Sequence, residues 1–168
     1  MMKSYLSNIR AIAFDHTLNG VAITDPTQPD NPIIDVNKTF ETLTGYSRQE
    51  ALGQNCRFLQ AHDSRQDGLA ELRLAIHRQE ECKVVVKNYR KDGTLFWNEL
   101  SVIPIKQEDG TVVRYLGVMQ DVTTAHNVLA SLTKTVQQLE QVNAMMVDRE
   151  LQLLGLKNEL AALKRPTE

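Results

Sequence analysis

The sequence predicts an α+β domain, a five-stranded antiparallel sheet with its helices gathered on one side, followed by one long helix. Two observations carry this. Two short apolar, β-branched runs precede a helical middle and three longer ones follow it, giving the order β-β-α-α-α-α-β-β-β. Composition then changes near residue 122. Four of the five prolines lie before it, whereas 123–164 holds one glycine (Gly155), no proline, and mostly Leu, Gln, Glu and Ala. These features set boundaries at 1–16 for an N-terminal helical cap, 17–122 for the globular domain and 123–168 for a C-terminal helix.

Each element has its own signal. Residues 2–16 place Tyr5, Ile9, Ile12 and Ala13 at helical spacing. Val21 to Thr24 reads as a strand ended by Asp25-Pro26, and Ile33 to Val36 as a second, with a Pro/Asp/Asn-rich turn between them. Asn37 can cap a short helix carrying Phe40 and Leu43, which Gly45 ends. Ser47 and Glu50 have capping-box spacing for another. Cys56 to Leu59 is a further helical turn. Residues 66–79 place Leu69, Leu72 and Ile76 on one face of a longer helix. Val84 to Tyr89, Phe96 to Pro104 and Val112 to Val122 are strands, separated by the turn signals Lys91-Asp92-Gly93 and Glu108-Asp109-Gly110.

The last segment carries a heptad seam. Leu129, Leu132, Val136, Leu139, Asn143 and Met146 follow 3-4 spacing, and Leu153, Leu156, Leu160 and Leu163 continue it in a shifted phase. A single helix cannot bury such a stripe, so a parallel two-stranded coiled coil, a homodimer, is expected. Packing of the helix back onto the domain is the alternative. Asn143 in the seam fixes register at a cost in stability. Gly155 weakens the helix by about 1 kcal/mol relative to Ala.

Bulk properties exclude several classes. Charge is balanced, 19 Lys+Arg against 21 Asp+Glu, with no basic cluster, so no direct nucleic-acid binding is expected. Two cysteines, Cys56 and Cys82, are too few for a disulfide framework or a zinc site, and no metal is expected. No apolar run approaches the roughly 18 residues that span a bilayer, and no signal peptide is evident. A soluble cytoplasmic protein is the expectation.

Candidate chemistry centres on Asn55-Cys56-Arg57-Phe58-Leu59-Gln60. A cysteine is most often a small buried hydrophobe, and Cys82 is read that way. Cys56 has a cation and two amides for company. A hydrolytic role would need His16, His62, His77 or His126 beside it, and none sits in a motif for that. Arg57 and Arg73 are either surface charges or, if helix 66–79 lies beside the turn, two forks on one phosphate. Asn88 and Asn98 lie on adjacent strands, where asparagine is disfavoured. They are either exposed or turned inward to present donor and acceptor to a heterocycle.

Residues 53–60, Gly-Gln-Asn-Cys-Arg-Phe-Leu-Gln, resemble the signature of light-oxygen-voltage (LOV) domains, the flavin-binding photoreceptor branch of the PAS superfamily. Ile23-Thr24-Asp25-Pro26, Pro29-Asp30-Asn31-Pro32, Leu43-Thr44-Gly45-Tyr46-Ser47, Asn88 to Gly93 and Phe96-Trp97-Asn98 extend the likeness over about 20–123. The resemblance implies a PAS-like sheet and FMN as cofactor. Cys56 would be the thiol that bonds reversibly to the flavin C4a carbon after blue light. Arg57 and Arg73 would hold the phosphate, with Arg65 the one further arginine candidate. Asn55 and Gln60 would bond the ring's polar atoms and ribityl chain, and Asn88 and Asn98 the pyrimidine edge. Thr24, Phe40, Leu59 and Leu100 would line its faces. One position departs from the family: in Gly117-Val118-Met119-Gln120, Met119 holds the place of the glutamine that senses flavin N5.

Residues 146–160 resemble connectors between sensor domains and histidine-kinase outputs. The resemblance implies a photosensory module, not an enzyme, whose signal passes through the dimeric helix to a downstream protein or an effector domain absent from this chain. A flavin-based redox sensor, which would not need Cys56, and a small-molecule-binding PAS dimerisation module are the alternatives.

Overall fold

The computed structural model describes residues 2–163. Its elements are α1 (Met2–Asp15), β1 (Gly20–Thr24), β2 (Ile33–Val36), α2 (Lys38–Thr44), α3 (Arg48–Ala51), a 3₁₀ turn (Cys56–Gln60), α4 (Asp67–Arg78), β3 (Cys82–Tyr89), β4 (Leu95–Lys106), β5 (Val112–Asp121) and α5 (Thr123–Leu163). All neighbouring strands are antiparallel, in the order β2-β1-β5-β4-β3. The chain forms two compact units, 1–124 and 125–168.

Local chemistry sets the helix ends. The Asn37 side chain accepts from Phe40 N, and Gly45, at φ 76°, closes α2 in a left-handed conformation that glycine tolerates without strain. Ser47 and Glu50 form the expected capping box. Asn37 also receives Val21 N and donates to the Phe14 carbonyl, so one buried amide ties α1, β1 and α2 together. Ile9 and Ile12 on α1 are exposed. The side chains of Tyr5 and Leu163 fall outside those described.

β4 runs two residues past the expected end, through Pro104. Its pairing with β3 stops at Val102, while pairing with β5 continues through Pro104 and Tyr115. Beyond Val102 one edge of β4 is unpaired, which accommodates a residue without an N–H.

The pleat sends alternate side chains to one face. Ala22 and Thr24 of β1, Val84, Val86 and Asn88 of β3, Phe96, Asn98, Leu100 and Val102 of β4, and Tyr115, Gly117 and Met119 of β5 share the face that helices cover. α4 lies close on β3: a Cβ at Gly68 would stand 2.9 Å from the Val85 carbonyl oxygen, so only glycine fits that first turn.

Arg90, just past β3, joins three segments. Its guanidinium donates to the Leu43 carbonyl and to the Asp121 carboxylate, and lies 4.6 Å from the Phe96 ring centroid. Asp121 also accepts from Thr123 N at 2.9 Å, and the Thr123 hydroxyl accepts from Trp97 N at 2.8 Å.

The seam residues of α5 are exposed, Leu129, Leu132, Val136, Leu139 and Met146 in one phase and Leu153, Leu156 and Leu160 in the other. Among the described residues, no helix is long and apolar enough to cross a membrane.

Candidate functional site

A cavity of about 550 Å³ lies in the first unit, between the helix-covered sheet face and the segment that links β1 to β3. That is the size range of small-molecule and cofactor pockets. Ala22, Leu59, Leu69, Val86, Leu100 and Val102 give it apolar walls.

Its closed end is built on Asn88 and Asn98, 4% and 1% exposed. The strand register sets Asn98 opposite Val86, so the two amides are diagonal neighbours. Asn98 Nδ2 donates to Asn88 Oδ1 at 2.8 Å, and Asn88 Nδ2 donates to the Lys87 carbonyl. Asn98 Oδ1 is left without a partner. Among the described residues, the other buried side-chain oxygens in that condition are Thr24 Oγ1 and Asn31 Oδ1, and all three residues line the cavity. All three open onto the same cavity, where a bound group or water can meet them.

Cys56 opens the 3₁₀ turn and lines the cavity. Burial pushes its thiol up to about 11, so at neutral pH it is S–H rather than thiolate. Asn55 caps this turn: its Oδ1 accepts from Arg57 N, and its Nδ2 donates to the Asp30 carbonyl at 2.5 Å. The cysteine is thereby fixed to the loop opposite. Gln60, Leu59, Thr24 and Leu100 also line the space.

The mouth is charged. Arg57 pairs with Asp30, Nη1 to Oδ1, at 2.7 Å, with both side chains well exposed. Arg73 of α4 donates to the Ser64 carbonyl at 3.1 Å. Both arginines line the cavity, but Arg65 does not.

Phe40, expected on a face of the ligand, is fully buried in the core and is not among the residues that line the cavity. The Asn37 cap turns the first turn of α2 so that Phe40 packs in one cluster with Ala22, Phe96 and Met119. Met119 does line the cavity, 3% exposed, paired with Leu100 and Gly20 across the sheet. Gln120 is exposed, as the pleat requires of its neighbour.

Asn31, Gln28, Ser64 and Tyr115 line the cavity without having been singled out from sequence. For Asn31 a signal exists. Asp30 and Asn31 take φ 67° and 47°, and an Asp-Asn pair between prolines tolerates that region better than other residues. Cys82 is half-buried beside the cluster of Leu69, Val84 and Val86, which suits a small hydrophobe. Among the described residues, no group of three or more His, Cys, Asp or Glu could hold a metal.

Comparisons with known proteins agree with this geometry. The PAS domain family model matches residues 18–124. A blue-light photoreceptor of Listeria monocytogenes is 46% identical over 128 residues, 76% of this chain and 50% of that protein. A blue-light-activated histidine kinase of Rhizobium johnstonii is 43% identical over 115 residues, 68% of this chain and 33% of that protein. This chain thus spans half or less of these relatives. Among solved structures, a LOV domain studied with a flavin analogue superposes with TM-score 0.65 at 37% identity, over 78% of this chain and 96% of that one. An RNA-binding LOV receptor gives TM-score 0.75 at 34% identity, over 80% of this chain and 38% of that one. With the family model, the helix-backed sheet and near-complete coverage of a solved LOV domain in agreement, this chain belongs to the PAS family and, within it, to the LOV photoreceptor domains.

Proposed function

We propose that this chain senses blue light through FMN held in the cavity, with Cys56 as the thiol that bonds reversibly to it. LOV domains bind a flavin, and the observation that carries the finer reading is one cavity holding both a protonated thiol and a buried amide pair with an open acceptor. Bound FMN supplies the blue absorption and the C4a carbon that accepts the sulfur.

The protein's own groups divide the remaining work. Asn98 Oδ1 accepts from the ring edge while Asn88 holds Asn98 in place. Thr24, Asn31 and Gln60 meet the polar side chain, and Asn55 keeps Cys56 at its post through the turn. Leu59 and Leu100 pack on the ring. Arg57 and Arg73 take the phosphate. Because the Cys56 thiol is kept protonated, it is a poor nucleophile in the dark, and it carries the proton that flavin N5 requires. Met119 has a thioether where an amide could switch between donor and acceptor. It cannot report N5 protonation by rotating an amide, so either a water molecule or a neighbouring polar group does so or the outgoing signal is weakened. The exposed seam of α5 joins two copies in parallel and passes the change to a downstream signalling protein or effector domain.

Absorption spectroscopy of the purified chain tests this. A yellow protein should bleach under blue light and recover in the dark. Cys56→Ala should keep the flavin and lose the bleaching. Met119→Gln should shift the dark spectrum by placing an amide at the ring. Bleaching that survives Cys56→Ala removes the thiol from the mechanism. A flavin-loaded wild type that never bleaches supports the redox-sensor alternative.

A further inference from the structure

We infer that Asp30 is a specificity residue that weakens the hold on the flavin phosphate and so narrows the preference for FMN over riboflavin. The inference rests on FMN occupying the cavity, and it concerns the acidic partner of Arg57.

The loop that carries Asp30 is braced. Asp25, 5% exposed, accepts from Thr27 N, Thr27 Oγ1, Gln28 Nε2 and Arg114 Nη1. Gln28 N donates to the Asp25 carbonyl, Asn31 N to the Gln28 carbonyl, and Asp25 N to the Pro32 carbonyl. The Asp30 carbonyl is held by Asn55. The carboxylate is therefore delivered to the mouth by a fixed backbone.

There it pairs with Arg57 at 2.7 Å, and both residues line the cavity. A phosphate and this carboxylate compete for one guanidinium. Arg57 and Asp30 are 62% and 59% exposed, so their pair is weak and a dianion can displace it. Once displaced, the carboxylate remains near the phosphate as a like charge. Arg73, bonded only to the Ser64 carbonyl in the contacts described above, supplies the remaining cation. The mouth thus offers two positive charges and one negative charge to a ligand whose phosphate carries close to two negative charges. Riboflavin, without the phosphate, pays none of this repulsion.

The test is titration of the flavin-free full chain with FMN and with riboflavin. The readout is the ratio of the two Kd values, riboflavin over FMN. Asp30→Asn keeps the side-chain shape and tolerates the left-handed backbone at φ 67°. Its ratio should rise about fivefold at low ionic strength and shrink toward the wild-type value in 0.5 M salt, as a charge effect must. In an Arg57→Gln background the same change should have a clearly different effect, which marks coupling through that guanidinium. Glu108→Gln, an equal charge change on the exposed turn between β4 and β5, should leave the ratio alone. A ratio that stays put or falls in Asp30→Asn, in a wild type that binds both flavins, overturns the inference. Failure of the wild type to bind either flavin overturns the FMN reading instead.

Discussion

In the sheet domain Phe40 and Leu69 are 0% and 1% exposed, whereas along α5 Leu129, Leu139 and Leu156 are 63%, 64% and 62% exposed. The apolar residues are of the same kind. The difference lies in what each element can find to cover them. Strand pleats and three short helices close over one another within about 100 residues. A helix of 41 residues has one stripe and no second face of its own to lay it on. The domain is complete as an apolar core but incomplete as a polar one, since three buried oxygens await partners. The helix is the reverse, with its backbone satisfied and its apolar surface open. In the reading proposed above, a small polar ligand would finish the one region and a second apolar helix the other.

The largest expected effect is on the helix. Leu139→Glu puts a charge in the seam and should weaken association by about a hundredfold or more. Sedimentation across a concentration series reads this, and a monomeric wild type at every concentration would break the comparison. Next is the closed end of the cavity. Asn98→Leu removes the open acceptor, and flavin affinity should fall about 10- to 100-fold, the equivalent of one buried hydrogen bond. The leucine removes one unmet oxygen but also takes the donor from Asn88 Oδ1, so far-UV circular dichroism of the flavin-free variant is needed to show that it folds. Undiminished flavin binding would mean that Asn98 faces no ligand.

The smallest effect is on the surface. Lys91 and the Ser47 cap hold the Glu50 carboxyl down to about 2. A lowered pKa gives stability that is fully present above the unfolded value of 4.5 and is lost as pH falls toward 2. The thermal midpoint of wild type should therefore exceed that of Glu50→Gln at pH 6, and the gap should close between pH 4.5 and 2. A gap that is constant across that window would remove this capping pair from the acid response.

Much of this was legible in advance for a physical reason: short-range chemistry is written in short-range sequence. Asn37, Gly45 and the Ser47-Glu50 box each act within a few residues, and each caps where the spacing says it should. Cys56, Asn88 and Asn98 were legible through motif likeness, and the pleat then turns both amides inward. The burial of Phe40 in the core was not, because the direction in which a helix aims a side chain depends on how its cap seats that helix, and the seat is tertiary. Asn31 stood in the motif likeness without a role, and its place on the cavity wall follows from the fold of a proline-rich turn with positive φ. The open oxygen of Asn98 is a property of a whole neighbourhood, and no spacing rule reports it.

The Arg90 junction has a mechanical consequence. A joint free to slip at three points passes little torque, but one cation here clamps the end of α2, the ring of Phe96 and the final residue of the sheet together. After one intervening residue, at Thr123, starts a helix of 41 residues, about 60 Å long at 1.5 Å per residue. In the signalling route proposed above, such a helix would act as a lever. A tilt of only about 1° at its base carries its far end through about 1 Å, roughly the shift that repacks a helical interface.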